Sequence, residues 1–345
     1  MLVSDISEFD LIDKLSCVLG LENERRERDL RASGFDVFVG IGDDGAVWED
    51  ISGVKVLTTD TLVEGVHFTL NHSDWHDLGW KTLAVNLSDL AAMGAIPLCS
   101  VVTLGLTADI PVNGLLDMYK GMAEISNQYG GAVIGGDIVK SGVFFVTVAM
   151  YGRALKRHKI LTRGSAKPGD KIGVTGHIGC SSAGFHSLTE ISEVNYTDDI
   201  QHLRTAHFRP KPRINEGMLL VRHGVRTGMD ISDGLIGDLM KLCQSSGVGA
   251  VVRSMDVPAD QYLKRSYPKK WLDFALSGGE DYELLFTARP DIVQKLAGEN
   301  DIDFSIIGDI TSGISKVRVI DECGRDIDIS KSGWDHLASD KNSIK

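Results

Sequence analysis

Apolar residues return at helical spacing between residues 5 and 20, where Phe9, Ile12, Leu15, Val18 and Leu19 share one face and Gly20 supplies a C-terminal stop. The dense run of both charge signs from Glu22 to Arg31 reads as a solvated face. Residues 35–39, 45–49 and 54–59 then read as strands joined by short turns. Residues 74–93 predict a helix with Leu78, Leu83, Val85, Leu87 and Leu90 among its apolar positions, ended by Gly94 and Pro97. A strand over 100–106, a helix over 111–129 closed by Gly130 and Gly131, and strands over 133–135 and 143–153 complete the first half.

Residues 156–170 are basic and polar, and Ser165 to Asp170 form a turn cluster, so they mark a junction. The second half opens with a strand over 171–175. The Gly- and Ser-rich stretch 176–184 then enters a helix, and it reads equally as a tight strand-to-helix turn or as a phosphate-facing loop. Helices over 213–223 and 235–246 follow, with strands over 228–231, 250–253, 304–310 and 316–321 and a polar tail from Ser339. The pattern predicts a two-domain α+β to α/β chain: an N-terminal domain over 1–155, a C-terminal α/β domain over 156–338 and a tail over 339–345.

Carboxylates recur where apolar segments end. Asp43 and Asp44 stand between glycines, Thr58 and Thr59 precede Asp60, and Asn86 leads through Ser88 to Asp89. Gly135 and Gly136 precede Asp137, Asp230 to Gly234 reads Asp-Ile-Ser-Asp-Gly, and Gly278 and Gly279 precede Glu280 and Asp281. Any one such cluster is an ordinary turn or helix cap. Converging together, they would form an oxygen-ligand cage for hard cations such as Mg²⁺. Gly40, Gly42 and Gly45 also match the dinucleotide fingerprint, but Asp43 and Asp44 would repel a pyrophosphate, and a strand and turn follow where that fold needs a helix.

The formal net charge of −12 argues against nucleic acid or an anionic membrane as a partner. An anionic phosphate substrate would then require bridging divalent cations. The five cysteines are scattered and odd in number, the N-terminus lacks a cationic leader, and no apolar run is long enough to span a bilayer, so a reduced cytoplasmic chain is expected. There is no serine nucleophile elbow, zinc-binding helix motif, P-loop or protein-kinase signature. Carboxylates, small hydroxyls and glycines remain. That inventory suits phosphoryl transfer, in which the protein positions substrates and metal ions offset charge without a catalytic nucleophile.

Gly40 to Asp44, Thr59 to Phe68, Ala84 to Ala95, Gly135 to Asp137, Leu161 to Arg163, Ala166 to Asp170, Asp230 to Leu235 and Ser277 to Leu284 closely resemble thiamine-monophosphate kinases, in order along nearly the whole chain. The resemblance implies ATP-dependent conversion of thiamine monophosphate to thiamine diphosphate with several Mg²⁺ ions. It also implies a homodimer whose N-terminal halves pair in a sheet or barrel. By motif position, Asp44, Thr58, Thr59, Asp60, Asp89, Asp137, Asp230 and Asp233 match the metal shell. Gly136, Asp137, Arg163 and Ser232 match nucleotide contacts, and His67, Glu280 and Trp334 match contacts to thiamine monophosphate. Thr58 stands where many relatives carry Ser, and Arg163-Gly164-Ser165 where Arg-Ser-Gly is usual. Local readings stay open beside these: Arg163 pairing with an acid at the junction, His67 capping a strand end, Trp334 as a packed aromatic. Alternative functions are another ATP-dependent synthetase of the superfamily, such as one resembling selenophosphate synthetase, or a nucleotide-binding regulator without turnover.

Overall fold

The computed structural model describes residues 1–6, 10–19, 34–39, 47–50, 54–154, 156, 159–189, 198–313 and 316–328. The charge run 22–31, the Gly40 to Gly45 stretch with Asp44, and the tail with Trp334 lie outside these residues. Two units form: residues 1–162 with 208–226, and residues 163–207 with 227–345. The elements begin with α1 (residues 10–19), β1 (Phe35–Val39), β2 (Val47–Asp50), β3 (Val54–Val63), α2 (Trp75–Ala92), β4 (Ile96–Leu106), α3 (Val112–Tyr129), β5 (Ala132–Lys140) and β6 (Phe145–Ala154). They continue with β7 (Lys171–Thr175), α4 (Cys180–Thr189), α5 (Asp198–Phe208), α6 (Ile214–Arg222), β8 (Thr227–Asp230), α7 (Leu235–Ser246) and β9 (Gly249–Arg253). The last are α8 (Gln261–Ser266), α9 (Trp271–Ser277), β10 (Leu284–Ala288), α10 (Pro290–Leu296), β11 (Phe304–Thr311) and β12 (Val317–Ile320).

In the first unit a four-stranded sheet runs β3-β6-β4-β5, beside a two-stranded pair β1-β2. β4 and β5 are parallel, as the helical crossover α3 between them requires, and the other pairs are antiparallel. α2 begins at Asp74, whose carboxylate accepts the His76 N–H at 2.8 Å. Leu83, Leu87 and Leu90 are fully buried, and so are Lys81, Asn86 and Ser88 on its other sides. A helix enclosed all round has no polar stripe, so its sequence shows weak amphipathic contrast. α1 buries Leu15 and Leu19 of the expected face together with Leu11, while Ile12 and Val18 are only half-buried. Pro97 does not follow a helix end at a distance; it lies inside β4, where the register slips between Pro97 and Cys99 and tolerates its missing N–H.

The second unit holds a six-stranded sheet ordered β12-β9-β11-β7-β10-β8. Its core joins Ile172 and Val174 to Leu235, Leu239, Leu242, Leu285 and Ile307. Every residue of the internal strand β10 is buried. Elements absent from the periodicity reading are α5, α8, α9, β10 and α10. α5 buries only Ile200, Leu203 and His207, too sparse a stripe to stand out.

α2 and α3 cross at their glycines. A Cβ on Gly79 would stand 1.8 Å from the Met118 carbonyl oxygen, and one on Gly121 would stand 1.9 Å from that of His76. Alanine at 121 gains up to about 1 kcal/mol of helix propensity, but the obstacle is backbone and must move. Gly121→Ala is therefore expected to destabilise the fold by about 1–3 kcal/mol, read in thermal unfolding as a melting temperature lower by several degrees. An unchanged melting temperature would show that the two helices separate freely.

Candidate functional site

Alternation along β3 divides the acidic cluster of the first unit. Thr58 and Asp60 point to the side of the sheet covered by α2, in register with the buried Met150 and Val148. There the Thr58 hydroxyl donates to the Asp89 carboxylate on α2. Thr59 and Thr61 point the other way: the Thr59 hydroxyl donates to the Val148 carbonyl at 2.9 Å, and Thr61 meets Thr147 at 2.8 Å. Asp137 lies in the Thr61–Thr147–Thr103 row, on that outer face and at the far edge of the sheet, with its own neighbour Ile138 N–H donating to it at 2.9 Å. Three inter-strand steps separate β3 from β5, about 14 Å. Within this unit, then, Thr58 meets Asp89 and Asp60 shares Thr58's face of the strand, while Thr59 and Asp137 stand on the opposite face. Gly136 lies so close to β4 that a Cβ would meet the Val102 carbonyl oxygen at 2.0 Å.

His67 closes the turn after β3. Its Nδ1 accepts the Val63 N–H at 3.1 Å, so the neutral ring carries its proton on Nε2. The strand-capping role and a donor on the other nitrogen are therefore compatible.

In the second unit two acidic stretches about fifty residues apart form one backbone knot. Ile231 N–H donates to the Glu283 carbonyl at 2.8 Å, Tyr282 N–H to that of Ile231 at 2.9 Å, and Glu280 N–H to that of Ser232 at 2.8 Å. Asp230 is buried at the end of β8. The Ser232 and Asp233 N–H groups both donate to Oδ2 of the fully buried Asp238, each at 3.0 Å. Lys241 bridges Asp238, at 2.8 Å, to Asp233. Burial pulls the Lys241 ammonium down, but its hydrogen bonds to Asp233 and Asp238 outweigh this and hold it above its usual range. Glu280 and Tyr282 have φ of 66° and 53°, a left-handed backbone that side chains other than glycine rarely adopt. The Glu280 carboxylate lies 3.4 Å from His207 Nδ1, which also meets the Ser181 hydroxyl at 3.1 Å.

The Gly- and Ser-rich stretch before α4 resolves as a tight turn. Its Gly179 and Ser181 N–H groups donate to Asp281 at 2.8 and 3.3 Å, so an internal carboxylate occupies the place a phosphate would take. Arg163 is exposed, with its carbonyl accepting from Ser246 at 2.7 Å, and among the described residues its guanidinium has no acid partner.

Residues 42–154 match the AIR synthase related protein N-terminal domain, and residues 167–320 match the C-terminal domain of the same family. The thiamine-monophosphate kinase of Escherichia coli K12 is 38% identical over 317 residues, 90% of this chain and 95% of that protein. The chain belongs to the thiamine-monophosphate kinase family. A solved structure described as AaThiL complexed with AMPPCP and TMP superposes with a TM-score of 0.73 at 32% identity, covering 82% of this chain and 87% of that one. The thiamine-monophosphate kinase from Stenotrophomonas maltophilia K279a gives 0.76 at 33% identity, covering 86% and 95%. The mixed α/β fold expected from the sequence is the two-domain fold of this kinase family.

The kinase fold adds residues that the motifs did not reveal. Asp238 and Lys241 stand three residues apart on α7, and an acid–lysine pair at that spacing behind an acidic loop was the available signal. His207 and Ser181 carried no such signal, because only the fold brings them to Glu280. The first unit fits a hard cation: Thr58, Asp60 and Asp89 offer hydroxyl and carboxylate oxygens. Asn86, one helical turn before Asp89, has a buried Oδ1 without a hydrogen-bond partner.

Asp281 as a residue keeps partial solvent contact, but its carboxyl group is enclosed. Burial pushes this carboxyl well above the usual range, against the Gly179 and Ser181 donors and with Glu283 and Glu280 adding to the rise. As pH climbs above about 4, the unfolded chain releases this proton before the folded chain does, so this group takes away stability with rising pH until its folded value is passed. Asp281→Asn keeps an acceptor and cannot ionise. Urea unfolding at pH 5 and pH 8 should show the variant losing less stability between the two than the parent. Equal losses would remove Asp281 as the group responsible.

Proposed function

We propose that the protein transfers the terminal phosphoryl group of ATP to thiamine monophosphate, giving ADP and thiamine diphosphate with Mg²⁺. Kinship to thiamine-monophosphate kinases across 90% of the chain, together with the Thr58–Asp89 hydroxyl–carboxylate pair beside Asp60, is the observation that carries this reading. Thr58, Asp60 and Asp89 are assigned to hold Mg²⁺ through oxygen, and Thr58 also orients the Asp89 carboxylate. Asp230 and Asp233 are the second unit's ligands in the same assignment, and Lys241 pairs with Asp233. Asp44, Thr59 and Asp137 join the metal set on the motif resemblance alone. When bound, Mg²⁺ offsets the charge of the phosphate oxygens and fixes their orientation.

Arg163, Ser232 and Gly136 are assigned to the nucleotide. The unpaired Arg163 guanidinium offers a planar fork of donors suited to phosphate. His67 donates from Nε2 to the acceptor's phosphate. Glu280, locked by its left-handed backbone and by His207, sets a carboxylate against the cationic thiazolium, and Trp334 supplies an aromatic face for the same charge. An oxygen of the acceptor phosphate is already ionised near neutral pH, so it attacks in line without a general base or an enzyme nucleophile.

A homodimer is supported by the sheet's outer face in the first unit, where Leu57 is 74%, Val101 40% and Val139 39% exposed. A cytoplasmic location is supported by five cysteines, all free, and by the absence among the described residues of any helix long and apolar enough to cross a membrane.

Purified protein is expected to form thiamine diphosphate and ADP only when a divalent cation is supplied. ADP release indifferent to thiamine monophosphate would overturn the kinase reading in favour of another synthetase chemistry, and nucleotide binding without ADP release would favour a regulator.

Asp89→Asn removes a charge at nearly constant volume. Its kcat should fall roughly 10²-fold or more, the scale of losing one electrostatic contact in a transition state. Its melting temperature without metal should hold or rise, because fewer like charges then share the cluster. A sharp loss of stability in metal-free protein would make Asp89 a structural residue instead.

A further inference from the structure

We propose that Cys180, His202 and Asp260 form a three-ligand site for a borderline divalent cation of the zinc type, separate from the all-oxygen acidic clusters. The three side chains come from the first residue of α4, from α5 and from the residue that caps α8, all in the second unit. Their ligand atoms lie within 4.8 Å of one another. Sulfur, imidazole and carboxylate together are a zinc donor set, whereas Mg²⁺ selects oxygen alone.

The geometry within the cluster favours a shared ion over a simple pair. Asp260 uses Oδ1 to accept the Tyr262 N–H at 2.7 Å, which fixes the carboxylate and turns Oδ2 toward His202. His202 Nε2 lies 3.5 Å from that Oδ2. That is too long for a good hydrogen bond. It matches the separation of two ligands on one tetrahedral zinc, about 3.4 Å for metal–ligand bonds of about 2.1 Å. The Cys180 thiol must close the remaining gap. The His202 side chain is 46% exposed and its ring rests against Tyr262 at 4.3 Å between centroids, so it can follow the ion while staying supported. Arg265, whose charge also acts on Asp260, directs its two hydrogen bonds to Asp199 instead.

Burial and the nearby Asp281 and Asp260 push the Cys180 thiol well above its usual range, so it is protonated at neutral pH. Binding forms a zinc–sulfur bond, breaks the S–H bond and releases that proton to water. Three protein ligands leave a fourth position for water or a small anion. The ion would tie α4, α5 and the start of α8 together, directly beside the Gly179 and Ser181 N–H groups that hold Asp281.

The test uses the full chain, stripped by a chelator and returned to excess Mg²⁺, in a Cys17→Ser, Cys323→Ser background that removes the two exposed thiols. Co²⁺ is titrated and the near-ultraviolet thiolate-to-Co²⁺ charge-transfer band is followed. One equivalent should develop the band, and Zn²⁺ should bleach it. Cys180→Ser should abolish it, and His202→Gln should weaken binding at least about tenfold. No band, a band that survives Cys180→Ser, or unchanged affinity in His202→Gln would each overturn the proposal. If Cys180→Ser does not fold, His202→Gln decides alone, since its side chain is half exposed.

Discussion

The buried Asp238 carboxylate is the constraint on which the second unit's acidic loop depends. Ser232 and Asp233 cannot pair their N–H groups within β8, which has ended, nor within α7, which has not begun. A buried donor left unpaired costs about 1–3 kcal/mol. Asp238 reaches back from the first turn of α7 and accepts both, and Lys241 offsets the charge that this places in the interior. The loop is thereby fixed by groups other than the ones it presents. Ser232 and Asp233 enter the knot through their backbones, and Lys241 reaches the Asp233 carboxylate.

The first unit meets the same demand by packing. Asp89 can meet Thr58 only if α2 sits at a fixed height over β3. That height is set by close approaches without side chains: Gly79 and Gly121 against α3, and Gly217 of α6 against the Ala91 carbonyl, 2.2 Å from where a Cβ would stand. Contacts between backbones are stiffer than contacts between side chains, because no rotamer can absorb a shift. Trp80 adds a directional tie, donating to the Pro210 carbonyl at 2.9 Å while Arg209 covers its ring. The position of the Asp89 carboxylate thus traces to close backbone approaches at Gly79, Gly121 and Gly217, far apart in the sequence.

Much of this was legible in the chain, and the limits are physical. Strong periodicity located α2, α3, α6 and α7, and the chain of acidic motifs pointed to phosphoryl transfer. Period-two alternation already implied that Thr58, Thr59 and Asp60 cannot all face one ion from a regular strand. The motif reading placed all three in a shell of several ions by residue type, and the strand divides them between two faces. α5 and α9 bury too few residues to announce themselves, and β10 is an unbroken apolar run whose state depends on its neighbours β7 and β8. The pairing of Ile231 with Tyr282 and Glu283, and the return of residues 208–226 to the first unit, are long-range facts with no local signature.

A chain with net charge −12 that handles polyanionic substrates must import positive charge, and it does so in graded ways. Free acids repel one another and any phosphate within a Debye length, about 8–10 Å at physiological salt. Lys241 is a tethered cation paired with Asp233, so the loop carries a built-in counter-charge. In the proposed assignment the oxygen sets recruit cations from solution, so their occupancy would depend on free metal concentration. The Cys180–His202–Asp260 group differs in kind, since sulfur and nitrogen donors suit borderline cations and oxygen donors suit hard ones. The same acidic excess that opposes phosphate favours the thiazolium of the acceptor. In the proposed assignment Glu280 is the carboxylate that meets this cation, and the His207 contact holds it in place.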